Sequence, residues 1–82
     1  MQYPLLTSNV TLKAINLARL GLSIHNDSTQ ILYVKLGTTA TTTDYTVRMS
    51  AQDHYEVPFG YTGRIDGIWA SANGNAYVTE LT

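Results

Sequence analysis

Hydrophobic and polar residues alternate along most of this chain, which is the pattern of β-strands with one face buried. Twelve threonines, six tyrosines and many Val, Ile and Leu residues strengthen that prediction, because β-branched and aromatic side chains fit a pleated surface. The alternating segments are RLGLSIHND, QILYVKLG, YTVRM, HYEVPF, RIDGIWAS and NAYVTEL. A seventh segment, NVTLKA, alternates near the beginning of the chain. The pattern therefore predicts about six or seven short strands.

Turn residues separate these segments. HNDST, between the first two, predicts a β-hairpin, because Asn, Asp and Ser side chains hydrogen-bond to turn backbone. Asn73-Gly74 predicts a second hairpin in which the last strand returns along RIDGIWAS, since both residues accept positive φ. Pro58 cannot donate a ladder hydrogen bond, so its strand is expected to be an edge strand or to end there.

The amino-terminal part is expected to differ from the rest. Residues 1–9 are predicted to form an extended arm, since Pro4 discourages a helix. A strand should then run through Ala14, followed by an irregular corner over residues 15–18. Residues 10–82 are expected to form one all-β domain, a small antiparallel β-sandwich or barrel of the jelly-roll type.

Composition limits what such a domain can do alone. An 82-residue chain buries only about 60% of the surface that its unfolded form exposes. With no cysteine there is no disulfide or thiolate metal site to help. Charged residues make up 13%, five basic against six acidic, about half the usual share of roughly 25%. These values favour a domain that packs against other chains, as a homo-oligomer or on a larger assembly.

The same numbers argue against several partners. Duplex nucleic acid is not expected, because the basic residues are few and scattered. No stretch has the length and hydrophobicity of a membrane span, and the start MQYPLLTSNV lacks the basic n-region of a secretion signal. We therefore expect a protein made in the cytosol that leaves the cell, if it does, by a route other than secretion.

No residue cluster specifies an enzyme or a cofactor. Cysteine is absent, and the serines and threonines lie in turn and strand contexts without a nucleophile-elbow motif. His54 and Glu56, next to Asp53, are an i, i+2 pair with metal-ligand spacing, and the third ligand would have to be His25 or a carboxylate from elsewhere in the chain. The preferred interpretation is a solvated strand face, with no metal.

Aromatic residues near the carboxyl terminus admit two interpretations. Phe59, Tyr61 and Trp69 together would make a stacking platform for a sugar or an unpaired base. The favoured alternative places Trp69 in the core, with Gly67 allowing close approach across that face, and leaves Phe59 and Tyr61 to contact something outside the domain.

Other candidate contact residues lie towards the amino terminus. Tyr3, Leu5 and Leu6 would need a surface to cover them, and we favour a neighbouring chain over this domain itself. Arg19 precedes an apolar strand, where its donors could satisfy several carbonyls at a subunit boundary or where it could be an ordinary strand-edge residue. Arg64 and Asp66, at i, i+2 on one strand face, are expected to pair.

The order of these segments resembles a family of small virion proteins from tailed bacteriophages. The resemblance rests on Asn16 and Arg19 in the corner, Asn26 at the end of a strand, residues 32–37, the Thr-rich loop over residues 37–44 and YTGRIDGIWAS with its Gly hairpin. It spans roughly residues 14–81 and leaves residues 1–13 outside.

The resemblance implies a non-enzymatic β-sandwich in the virion, assembled in the bacterial cytoplasm and released by lysis. It favours a capsid decoration, or cement, protein that forms trimers and bridges subunits of the major capsid protein. The alternative is a tail, fibre or head–tail component, including a glycan-binding module that uses Phe59, Tyr61 and Trp69.

Overall fold

Seven strands in two sheets make up the described part of the chain. A computed structural model describes residues 9–71 and 74–82. The strands are β1 (Val10–Lys13), β2 (Gly21–Ser28), β3 (Leu32–Leu36), β4 (Val47–Met49), β5 (His54–Val57), β6 (Ile65–Trp69) and β7 (Gly74–Leu81). The described residues contain no helix. The prediction of a small all-β domain with antiparallel strands is confirmed.

The strands form one four-stranded sheet, in the order β1-β6-β3-β4, and one three-stranded sheet, in the order β5-β2-β7. All pairings between these strands are antiparallel. In the three-stranded sheet, Ile24 of β2 lies between Tyr55 of β5 and Val78 of β7. Neither sheet closes into a barrel within the described residues. As predicted from Pro58, β5 is an edge strand, and it ends at Val57.

Both predicted hairpins are wrong. Strands β2 and β3 are consecutive in the chain but lie in different sheets, and the same is true of β6 and β7. Strand β7 pairs with β2 over its whole length instead of returning along β6. Turn residues indicate that the chain reverses nearby, but a reversal can lead to a strand of either sheet. Asn26, expected in a turn, lies within β2, whereas Asn73 is outside the described residues.

One core takes its buried residues from both sheets. In β2 every second residue is buried, from Leu22 to Ser28, which is the period of a strand with one covered face. The buried hydrophobic cluster comprises Leu12, Leu22, Ile24, Leu32, Val34, Met49, Val57, Ile65, Trp69, Ala76 and Val78. Trp69 is 1% exposed, which confirms its assignment to the core.

Gly67 permits the close approach that the sequence predicted. A Cβ at this position would lie 2.7 Å from Leu12 Cδ1 and 3.2 Å from Leu32 Cδ1, closer than packed carbon atoms come. The absence of a side chain on β6 therefore lets the leucines of β1 and β3 meet above it.

The amino-terminal prediction is partly confirmed. Strand β1 ends at Lys13, one residue before the expected Ala14, and an irregular corner follows as predicted. Residues 1–8, most of the expected arm, lie outside the described residues. Asn9 is described and anchored: its Nδ2 donates to Asp66 Oδ2 at 3.1 Å, and its Oδ1 accepts from the Ala40 amide at 2.8 Å. This contact holds the Thr-rich loop against the four-stranded sheet.

Candidate functional site

Arg19 is the buried centre of one end of the molecule. It lies in the corner between β1 and β2 and is 2% exposed. Its Nη2 donates to the Ala14 carbonyl at 2.6 Å and its Nη1 to the Gly63 carbonyl at 2.9 Å. Its Nε donates to Glu80 Oε2 at 2.7 Å. One guanidinium therefore joins the corner, the loop between β5 and β6, and the end of β7.

Glu80 supplies the counter-charge from the inward face of β7. Besides Arg19, it accepts a hydrogen bond from Asn16 Nδ2 at 3.2 Å and lies 3.8 Å from Lys13 Nζ. The hydrogen bond from Arg19 lowers the pKa of Glu80; burial opposes this shift, and Asn16 and Lys13 reinforce it. The carboxylate thus stays ionised where it joins the carboxyl-terminal strand to the corner.

Main-chain hydrogen bonds bring the same segments together. The Asn16 amide donates to the Thr62 carbonyl at 2.9 Å, and the Leu20 amide to the Leu81 carbonyl at 2.7 Å. The Gly60 amide donates to the Leu20 carbonyl at 3.3 Å. These bonds pair backbone groups with one another. The side chains therefore determine what this end of the molecule presents to a partner.

Those side chains are largely apolar and exposed. We call this set of five side chains the apolar end. Its members and their exposed fractions are Ile15 66%, Leu17 84%, Leu20 52%, Phe59 83% and Leu81 60%. Each belongs to one of the three segments that Arg19 joins. Isolated exposed apolar residues are ordinary, but a group on one surface is typical of a contact site. The ends of the sheets thus carry a surface suited to another protein.

The aromatic stacking platform is not assembled. Trp69 is buried, and its Nε1 donates to Asn26 Oδ1 at 3.4 Å. Tyr61 is half-buried against the core, and its hydroxyl donates to the Arg64 carbonyl at 2.8 Å. Phe59 alone of the three rings is highly exposed. Phe59 is therefore free to contact something outside the domain and Tyr61 only in part, but that contact stays a prediction for both residues.

The remaining predicted contact residues have different outcomes. The carbonyls that Arg19 binds belong to its own chain and not to a subunit boundary, and the side chain has no exposed surface to offer a partner. Tyr3, Leu5 and Leu6 lie outside the described residues. Their assignment to a contact with a neighbour stays a prediction.

The predicted pair of Arg64 and Asp66 is present. Arg64 Nε donates to Asp66 Oδ1 at 2.7 Å and its Nη2 to Asp66 Oδ2 at 3.2 Å. Asp66 is fully buried, while the Arg64 side chain is 41% exposed. With the bond from Asn9, this pair fixes the Thr-rich loop and takes no part in the apolar end.

The possible metal ligands come together only in part. His25 and His54 are register partners on β2 and β5, with ring centroids 6.3 Å apart. His25 Nε2 lies 3.2 Å from Gln52 Oε1, within hydrogen-bonding distance. Within residues 9–71 and 74–82, no group of three or more His, Cys, Asp or Glu side chains is placed to hold a metal ion.

Sequence reasoning missed most of the apolar end. The alternating pattern predicts only an irregular corner for Ile15 and Leu17, and it places Leu20 and Leu81 in strands. A signal was available: Ile15 and Leu17 are large apolar residues in a segment expected to have no buried face. The partnership of Arg19 with Glu80 had no signal, since 61 residues separate them.

The chain was compared with known proteins. No protein-family model, curated protein or solved structure matches it. In the part of the chain that the structure describes, no helix could cross a membrane.

Proposed function

We propose that this protein is a structural component of a bacteriophage particle, a capsid decoration protein that binds the major capsid protein through its apolar end. The phage assignment is supported by the sequence resemblance over residues 14–81. The mode of action is supported by one structural observation, the clustering of exposed apolar side chains around the buried Arg19.

The geometry of the apolar end suits docking onto a preformed surface. Arg19 and Glu80 hold its three segments in place before any partner arrives. Less conformational entropy is then lost on binding, so more of the contact energy remains as affinity. Apolar anchors such as Phe59 and Leu17 would fill depressions on the partner, the arrangement that dominates binding energy in protein interfaces.

The low charge of the chain fits the same role. With 13% charged residues and a net charge of −1, long-range electrostatic steering is weak. Binding would depend on contact area and on many copies acting together. We propose that the copies form trimers, each touching several capsid subunits, so that expansion of the capsid must break these contacts together.

Copy number tests this role against the alternative of a tail or head–tail component. Purified particles would be separated by denaturing electrophoresis, and this chain would be quantified against the major capsid protein. A decoration protein is expected at hundreds of copies per particle. A value of a few dozen or fewer would overturn the proposal and favour a tail component.

A further inference from the structure

A groove lies on the outer face of the three-stranded sheet, on the side facing away from the core. Its volume is about 390 Å³, within the range of about 300–1,000 Å³ that small-molecule sites occupy. Ser23 of β2 forms the middle of its floor, with Glu56 of β5 and Thr79 of β7 as its register partners on either side. Phe59 and Leu81 line one end.

The polar side chains of this groove have no hydrogen-bond partner among the residues that the structure describes. Within the described residues, Ser23, His54, Glu56 and Thr79 form no side-chain hydrogen bond or ion pair. Two hydroxyls, an imidazole and a carboxylate therefore converge on one depression without a hydrogen-bond partner in the described part of the chain. Polar groups that converge beside an apolar wall are the usual composition of a ligand site.

Gly21 keeps the groove open. Its backbone does not require glycine: φ lies outside the left-handed region, and a Cβ would make only an ordinary contact, 3.5 Å from Leu81 Cδ1. Glycine within a strand costs stability compared with a β-branched residue. The missing side chain at Gly21 instead leaves space in the groove lining beside its register partner Leu81.

We propose that this groove binds a neutral sugar, a hexopyranose unit of a polysaccharide. Sugar hydroxyls would donate to Glu56 and His54 and accept from Ser23 and Thr79, and the apolar face of the ring would pack on Phe59. An anion is disfavoured, because Glu56 is the one formal charge on the lining and it is negative. The site differs from the platform of three aromatic rings considered from the sequence.

Binding is tested on the full chain by NMR titration of backbone amides. The probes are the methyl glycosides of glucose, galactose, mannose and N-acetylglucosamine. At least one is expected to shift the amides of Ser23, Glu56 and Thr79 saturably. Glu56→Ala, at an exposed position, should weaken that response about tenfold, the usual effect of losing a hydrogen bond to a charged group.

Gly21→Val should fill the groove and abolish the response while the spectrum keeps its folded dispersion. Tyr77→Ser, on the same face but outside the groove, should leave binding unchanged. Should Gly21→Val not fold, Glu56→Ala decides the matter. The proposal is overturned if none of the four glycosides shifts these amides, if choline or inorganic phosphate shifts them more strongly, or if Glu56→Ala binds as tightly as the natural chain.

This inference does not depend on the capsid role. The groove shares Phe59 and Leu81 with the apolar end, whereas Glu56 lies outside that end, so Glu56→Ala should load onto particles normally. Sugar binding and particle binding can therefore fail separately.

Discussion

Arg19 and Glu80, 61 residues apart in the chain, form an ion pair of 2.7 Å in which the guanidinium is completely buried and the carboxylate side chain is 15% exposed. The pair joins the corner after β1 to the end of β7, the last strand. The remaining guanidinium donors bind carbonyls of the corner and of the loop between β5 and β6. The geometry of the apolar end therefore depends on this one contact and its neighbours.

Arg19→Lys should destabilise the protein by about 3 kcal/mol, since lysine keeps the charge but cannot reach the carbonyls of Ala14 and Gly63 together with Glu80. Chemical denaturation measures the loss. Arg48→Lys, at an exposed position on β4, is the control and should stay within about 0.5 kcal/mol of the natural chain. Equal losses in the two variants would contradict the structural role of Arg19.

Glu80 should make stability depend on pH in the acid range. Its pKa is lowered in the folded state, chiefly by the hydrogen bond from Arg19, so the folded form binds that proton less readily than the unfolded form. The stabilisation is complete above the ordinary carboxyl range and is lost as the pH falls through the lowered pKa.

Glu80→Gln removes this titration. Its unfolding free energy should fall less steeply below the ordinary carboxyl range than that of the natural chain, and the two curves should approach each other at the acid end. Denaturation at a series of pH values would show this. If the unfolding free energies of the two proteins fell equally steeply with decreasing pH in the acid range, the proposed linkage would be ruled out.

Asn26 should be the least replaceable polar residue of the core. Its Nδ2 lies 2.8 to 3.2 Å from three carbonyl oxygens, those of Gln30, Met49 and Ser50. Its Oδ1 accepts from Ser28 and Trp69. Because the Asn26 side-chain amide both donates and accepts hydrogen bonds here, no side chain that lacks an N–H can replace it.

Asn26→Asp places carboxylate oxygens against those carbonyls and should cost about 3 kcal/mol or more in the free energy of unfolding. Asp27→Asn, one residue further along and half-buried, makes a similar chemical change outside the core and should cost less than about 0.5 kcal/mol. Thermal and chemical denaturation of both variants provide the comparison, and a stable Asn26→Asp protein would refute the assignment.

Three glycines should respond differently to alanine. Gly67→Ala would place a methyl group 2.7 Å from Leu12 Cδ1 and should cost about 1–3 kcal/mol through overpacking. Gly60 has φ +89 with no atom near a new Cβ, so alanine there should cost about 1 kcal/mol through backbone strain alone. Gly21→Ala is the matched control and should be neutral or stabilising. Denaturation curves that reversed this order would contradict the packing around Gly67.

Local patterns predicted the strands because alternation is a property of neighbouring residues. The burial of Trp69, the edge position of the Pro58 strand and the pairing of Arg64 with Asp66 all follow from short-range spacing. Strand pairing does not, because HNDST and Asn73-Gly74 specify a reversal of direction without specifying which sheet receives the next strand. Both hairpin predictions failed for that reason, and the first also placed the reversal within β2, which continues to Ser28.

The apolar end could not be derived from the sequence because it is assembled from residues far apart. Leu20 and Leu81 look like ordinary strand residues, and only the structure shows that their strands end beside Phe59 with the side chains exposed. The groove on the three-stranded sheet is likewise assembled from residues far apart in the sequence. Ser23, Glu56 and Thr79 come from three strands and meet only through register.

The central claim, that the apolar end binds other chains of the particle, is tested most directly by re-binding purified protein to particles that lack it. The double variant Ile15→Asn with Leu17→Asn should fold normally, because both side chains are exposed, and should bind about tenfold more weakly or worse. Tyr45→Ser, an exposed apolar position outside the apolar end, should bind like the natural chain. Full occupancy of particles by the double variant would contradict the account.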